Sequence, residues 1–188
     1  MKTLVQHMSK YAAYHRNPMN KRIHFVFVPL IIWSAMGLLS LIPPIFQNDS
    51  VRITWAMAIA VLLLIYYLML DAPLGIALVL QFSFFLITSD KIAHAEGTFF
   101  WAGSGWPIVL SVFVISWAAQ LIGHKAFEHR KPALADDMWQ VFVAPLFVVA
   151  EYAFVLGLRK PLETEVRQGL RAYLPKDDPD YTAPATAA

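Results

Sequence analysis

ITWAMAIAVLLLIYYLML, residues 53–70, runs for eighteen positions without a charged side chain. As a helix rising about 1.5 Å per residue it would extend roughly 27 Å. That is close to the ~30 Å hydrocarbon core of a bilayer. The same pattern repeats on both sides of it. Phe25–Phe46, Ala72–Ser89 and Gly97–Gly123 carry no charge, and Met138–Leu158 carries only Glu151. Five such stretches in 188 residues leave too little polar chain to shield them from water. The pattern predicts an all-α protein, a polytopic membrane helix bundle with about five hydrophobic helices. Composition agrees: 58% of residues are apolar and 15% charged, against roughly 25% charged in a globular chain. Mean hydropathy is +0.52. These values exclude a disordered chain and a conventional soluble enzyme, and the lack of cysteine excludes a disulfide scaffold. A net charge of +2 is too mild to indicate nucleic acid as a partner.

The flanking charges suggest an orientation. The first apolar run has no small-residue cleavage pattern behind it and reads as an anchor. Residues 1–24 hold Lys2, Lys10, Arg16, Lys21 and Arg22 with no acid, which places them on the cytoplasmic side. After four crossings, residues 123–138 with Lys125, Arg130 and Lys131 return to that side. A fifth full crossing would put the basic stretch from Arg159 to Lys176 outside. Pro145 and Glu151 therefore mark the last apolar helix as the candidate for a tilted or re-entrant one. Ahead of the first run, Leu4, Met8, Tyr11 and His15 share one face of an amphipathic helix that Asn17-Pro18 ends. Beyond Leu158, Leu162, Val166, Leu170 and Leu174 recur every fourth residue in a charged helix expected on the membrane surface. Residues 175–188 read as a frayed tail. The expected organisation is a single integral-membrane catalytic domain over 1–158 and a C-terminal surface helix and tail over 159–188. The short chain favours a bacterial inner membrane, or the endoplasmic reticulum if eukaryotic. The oligomeric state is not legible.

With no thiols, a metal site must draw on histidine and carboxylates. Two of the histidine groups stand out. His15 and His24 lie nine residues apart across the Asn17-Pro18 break, with Asn20 between them. Gln120, His124 and Glu128 end the fourth apolar run, and His124 and Glu128 fall on one helical face. By the charge argument both groups reach one membrane surface, where three imidazoles and a carboxylate can bind a divalent metal such as iron. The plainer reading of any one of these histidines is an interfacial polar residue, and it suits His7, His94 and His129. Glu151 is a separate signal, because a carboxylate inside an apolar helix is costly and usually faces a functional interior. Its plainer reading is a protonated group bonded to a neighbouring helix. Trp55, Trp101, Trp106 and Trp139 read as interface anchors.

Tyr11 through Pro29 matches the pattern Y-x-x-x-H-x-x-x-x-N-x-x-x-H-x-x-x-x-P, with His15, Asn20, His24 and Pro29 in place. Tyr67-Leu68-Met69-Leu70-Asp71 with Gly75 follows. The most specific run is Trp117-Ala118-Ala119-Gln120-Leu121-Ile122-Gly123-His124, then Glu128, Pro132, Ala133 and Leu134. Ala144-Pro145-Leu146-Phe147-Val148 with Glu151 completes the set. Over about residues 11–158 the chain resembles the membrane-bound, iron-dependent 2-hydroxy fatty acid dioxygenases, a family with a fungal member acting in the α-oxidation step of phytosphingosine breakdown. Phe27 departs from it, since many members have Gly there, but it is not a ligand position.

The resemblance implies an Fe(II) cofactor held by His15, His24 and His124, with Glu128 supporting or completing the shell. Asn20, Gln120 and Glu151 would join Glu128 around the reacting groups. The implied substrates are a long-chain 2-hydroxy fatty acid and O2, and the implied product is a fatty acid shortened by one carbon. A 2-hydroxy carboxylate presents two oxygens that can chelate one metal, and its acyl chain would lie among the apolar helices. A small membrane transporter and a haem-binding membrane protein are the competing expectations. The first predicts polar residues spread through the apolar runs. The second predicts histidines well inside two spanning helices. Histidine-box desaturases are a further rival, but their H-x-x-H-H clusters are absent.

Overall fold

A computed structural model describes residues 3–96, 105–128 and 137–182. Trp101, His129 and the motif positions Pro132, Ala133 and Leu134 lie outside the described residues. Seven α-helices are present among the described residues: α1 Leu4–Ala13, α2 Pro18–Ser40, α3 Trp55–Leu70, α4 Ala72–Ala93, α5 Trp106–Gly123, α6 Gln140–Val155 and α7 Lys160–Gly169. The axis of α5 continues as a π-helical turn, His124–Glu128, and α7 continues as a 3-10 turn, Leu170–Tyr173. A short antiparallel ribbon, β1 Phe46–Gln47 with β2 Arg52–Ile53, joins α2 to α3. The all-helical expectation misses it. Asn48 drives the reversal, since its Oδ1 accepts from the backbone N–H groups of Ser50 and Val51.

Among the described residues three helices are long and apolar enough to cross a membrane: Pro18–Ser40, Ala72–Ala93 and Trp106–Glu128. Trp55–Leu70 and Gln140–Val155 are apolar but shorter, at 16 residues each. The first long helix starts at Pro18 and not near Phe25, which corrects the placement of His24 ahead of it. Proline is well suited to a first helical position because its fixed φ and missing N–H cost nothing there. Leu62, Met69, Leu80 and Phe84 are strongly exposed along α3 and α4. Outward apolar side chains of this density suit a lipid environment.

Two compact bodies can be distinguished, residues 1–23 with 122–188, and residues 24–121. In the second body α3 packs on α4. Asp71 caps α4, its carboxylate accepting from the Leu74 N–H at 3.0 Å. Trp33 of α2 donates its indole N–H to Thr88 Oγ1 of α4 at 2.9 Å. Arg52 from the ribbon pairs with Asp90 at 2.8 Å and donates to the Ser40 carbonyl at 2.7 Å, so the ribbon ties the end of α2 to α4.

In the first body α1 is the hub, packed against α6, α7 and the 3-10 turn. Thr3 and Gln6 form a reciprocal capping box that starts α1. The expected face is buried, with Met8, Tyr11 and His15 all inside. The C-terminal helix departs from expectation. Its stripe of Leu162, Val166 and Leu174 is buried under protein and is not left open for a membrane surface. Gly169 permits the close approach: a Cβ there would collide with Ser9 Oγ. Ser9 Oγ donates in turn to the Val166 carbonyl at 3.3 Å. The tail is also anchored as far as it is described, because Arg16 pairs with Asp178 at 2.6 Å and with Asp180 at 2.9 Å.

Candidate metal centre

His15 follows the end of α1, and its ring is fixed from two directions. Its Nδ1 lies 2.8 Å from the Tyr11 carbonyl oxygen, one helical turn earlier. A carbonyl can only accept, so Nδ1 carries the proton and Nε2 keeps its lone pair. The Tyr11 ring stacks on the imidazole with centroids 4.0 Å apart and planes within 3°. Burial pushes the Tyr11 hydroxyl pKa above the ordinary phenol value, so this ring stays neutral.

His124 opens the π-helical turn at the end of α5. Such turns widen the helix locally and often mark functional sites. Its ring meets that of His15 edge to face, centroids 4.8 Å apart. Gly123 allows a close contact just before it. A Cβ at that position would lie 2.6 Å from Asn20 Oδ1 and 3.1 Å from Ile23 Cδ1. Asn20 donates its amide to Glu128 Oε1 at 3.2 Å, and the Asn17 N–H donates to the same oxygen at 2.9 Å. One carboxylate oxygen thus ties the start of α2 to the π turn.

His24 is the next residue of α2 after Ile23, one turn beyond Asn20, so the continuous helix sets its place. Each of His15, His24 and His124 offers one nitrogen, and these nitrogens lie within 4.8 Å of one another. All three residues are buried, at 2%, 3% and 3% exposure. Two nitrogens about 2.1 Å from one ion lie at most about 4.2 Å apart, so small ring movements would suffice for coordination. Three neutral imidazoles form a donor set that iron and other divalent first-row metals accept. The residues therefore fit a metal ion.

The other expected site residues divide around this group. Glu128 is not in the close-packed ligand set; its Oε1 is engaged by Asn17 and Asn20. Gln120 lies one helical turn before His124 and is buried, and its Nε2 has no hydrogen-bond partner among the described residues. Glu151 of α6 is 7% exposed and pairs with Lys21 Nζ at 3.0 Å. Sequence reasoning missed two participants. Tyr11 heads the family-like pattern and sits on the expected buried face but is given no role at the site, although its spacing of four from His15 could have indicated the backbone contact. Lys21 was counted only as an orienting charge, and nothing local in the sequence links it to Glu151.

A family model described as 2-hydroxy-palmitic acid dioxygenase Mpo1-like matches residues 1–156. A curated relative, the 2-hydroxy-palmitic acid dioxygenase MPO1 of Saccharomyces cerevisiae, is 34% identical over 161 residues, covering 85% of each chain. No solved structure matches. With the family model matching residues 1–156 and a curated relative 34% identical over 85% of the chain, this protein belongs to the Mpo1-like family.

Proposed function

We propose that this protein is an integral-membrane, Fe(II)-dependent dioxygenase that cleaves the C1–C2 bond of long-chain 2-hydroxy fatty acids. The observation that carries the reading is the buried group of His15, His24 and His124 in a chain of this family. The relative's name supplies the substrate class, a 2-hydroxy fatty acid. In the overall reaction C2 is oxidised from a carbinol to a carboxyl carbon, C1 leaves as carbon dioxide, and O2 is reduced with release of water. The product is a fatty acid one carbon shorter.

The iron would be held by His15, His24 and His124, and when bound it supplies a centre that orients the hydroxy acid and activates O2. The remaining work belongs to the chain. The Tyr11 carbonyl holds the His15 tautomer, the kind of outer contact that fixes a ligand ring. Glu128 acts as a positioning residue through Asn17 and Asn20, holding the helix that carries His24. Gln120 has a buried amide donor available for a substrate oxygen. Glu151 holds the Lys21 ammonium in place. The surrounding apolar side chains exclude water, and the acyl chain lies among the apolar helices. The site faces the cytoplasmic side, in a bacterial inner membrane or, in a eukaryote, the endoplasmic reticulum.

Metal analysis and oxygen uptake on detergent-purified protein test this. The expected result is close to one iron per chain and O2 consumption with 2-hydroxypalmitic acid, giving the acid one carbon shorter. A Soret band from bound haem, or iron-loaded protein that consumes no O2 with 2-hydroxy acids, would overturn it.

A further inference from the structure

Beside His15 lies a cavity of about 280 Å3 formed wholly within the first body. Its walls come from the junction of α1 and α2, from α6, and from the C-terminal segment that was expected to be a separate surface helix. Four cations line it, Arg16, Lys21, Arg167 and Arg171, against three carboxylates. Each carboxylate is already matched. Glu151 pairs with Lys21 at 3.0 Å, Glu163 with Arg167 at 2.6 Å, and Asp180 with Arg16 at 2.9 Å, where Arg16 also holds Asp178 at 2.6 Å. The Arg171 guanidinium is left without a side-chain partner among the described residues. Lys21 commits one of its three ammonium donors to Glu151 and presents the same cavity with the others.

Asp178 beside Arg16 balances the overall charge, so what the cavity offers an added monoanion is the one uncommitted guanidinium, that of Arg171. Arginine's planar fork matches a carboxylate in particular, since both oxygens can be engaged at once. Phe154, Val166 and Leu170 add apolar wall suited to the first carbons of a chain. We propose that this cavity receives the carboxylate of the substrate fatty acid, held by Arg171 and Lys21 beside the His15 ring. This rests on the reading of the site as a 2-hydroxy acid oxygenase, and it makes the C-terminal segment part of substrate recognition. Glu151 and Phe147 steady Lys21, whose ammonium lies 5.9 Å from the Phe147 ring centroid.

Equilibrium dialysis of the full-length, iron-loaded protein in detergent provides the test, with 2-hydroxypalmitic acid and its uncharged primary amide as probes. The wild type should bind the acid in preference to the amide. Arg171→Gln should weaken the acid by about tenfold, the scale of one charge-assisted hydrogen bond, and leave the amide within about twofold. Arg171→Lys should recover part of the loss. Iron content and melting temperature serve as folding controls, and Arg171 is exposed enough for both to hold. Unchanged acid affinity in Arg171→Gln, or equal losses for acid and amide, would overturn the carboxylate site. Oxygen uptake separates the two claims: a wild type that prefers the acid but consumes no O2 defeats the dioxygenase reading and leaves the carboxylate site standing.

Discussion

His15, His24 and His124 each contribute a nitrogen to one buried group, so no single ring is dispensable if the group holds iron. His15→Ala, His24→Ala or His124→Ala should remove most of the iron and abolish oxygen uptake, as metal analysis and an oxygen electrode would report. Full iron content in the His124→Ala protein would defeat the ligand set. A second residue-scale expectation concerns Asp137, whose carboxylate accepts from Lys10 Nζ at 2.7 Å. The Lys10 hydrogen bond is the main reason that Asp137 titrates below its ordinary range. A lowered folded-state value means that the pair stabilises the fold above the ordinary carboxylate pKa. That stability disappears as pH falls through the lowered value. Asp137→Asn should therefore cost about 0.5 kcal/mol at neutral pH, the scale of a partly exposed pair, and nothing in strong acid. Thermal melts at the two pH values would show it.

At the scale of elements, two close approaches matter most. Gly123 lets Asn20 and Ile23 of α2 lie against the end of α5. Gly123→Ala should force those contacts apart at a cost of about 1–3 kcal/mol, typical of overpacking, and should reduce iron content along with stability. An Ala variant with wild-type melting and iron content would remove Gly123 from the account. The second approach docks α7 on α1 through Val166, which is 2% exposed. Val166→Ala should destabilise the first body by about 2 kcal/mol, the worth of burying one such side chain. Denaturant melts monitored within that body would measure it. If α7 instead rested on a membrane surface, the same change would alter vesicle binding and spare the detergent-solubilised fold.

At the scale of the whole molecule, a site built from His15 and His124 requires residues 1–24 and the end of α5 to share one side of the membrane. Arg22, within residues 1–24, and Lys125, next to His124, are exposed positions. The native chain has no cysteine to interfere, so Arg22→Cys and Lys125→Cys can be labelled singly in sealed vesicles. Both should react with an impermeant thiol reagent from the cytoplasmic face alone. Labelling from opposite faces would rule out a shared centre.

Residue order by itself determined the helical class, because uncharged runs of about twenty residues have few stable alternatives to helices in an apolar medium. It also carried the resemblance to the family, through the runs around His15, His24 and His124 and the motifs that follow them, without coordinates. The length of each helix was less legible. Polar Asn20, Lys21 and His24 hid the fact that α2 begins at Pro18, because hydropathy marks the apolar part of a helix and not its hydrogen-bonded start. Only the tertiary structure decided what covers the C-terminal stripe. An amphipathic pattern demands an apolar partner but does not say whether lipid or α1 provides it. Tertiary structure alone also paired Lys21 with Glu151 and left Arg171 in a cavity beside His15, groups more than a hundred residues apart that no local rule connects. Periodicity and spacing act within a segment, whereas a charge balance inside a cavity depends on which segments the packing brings together.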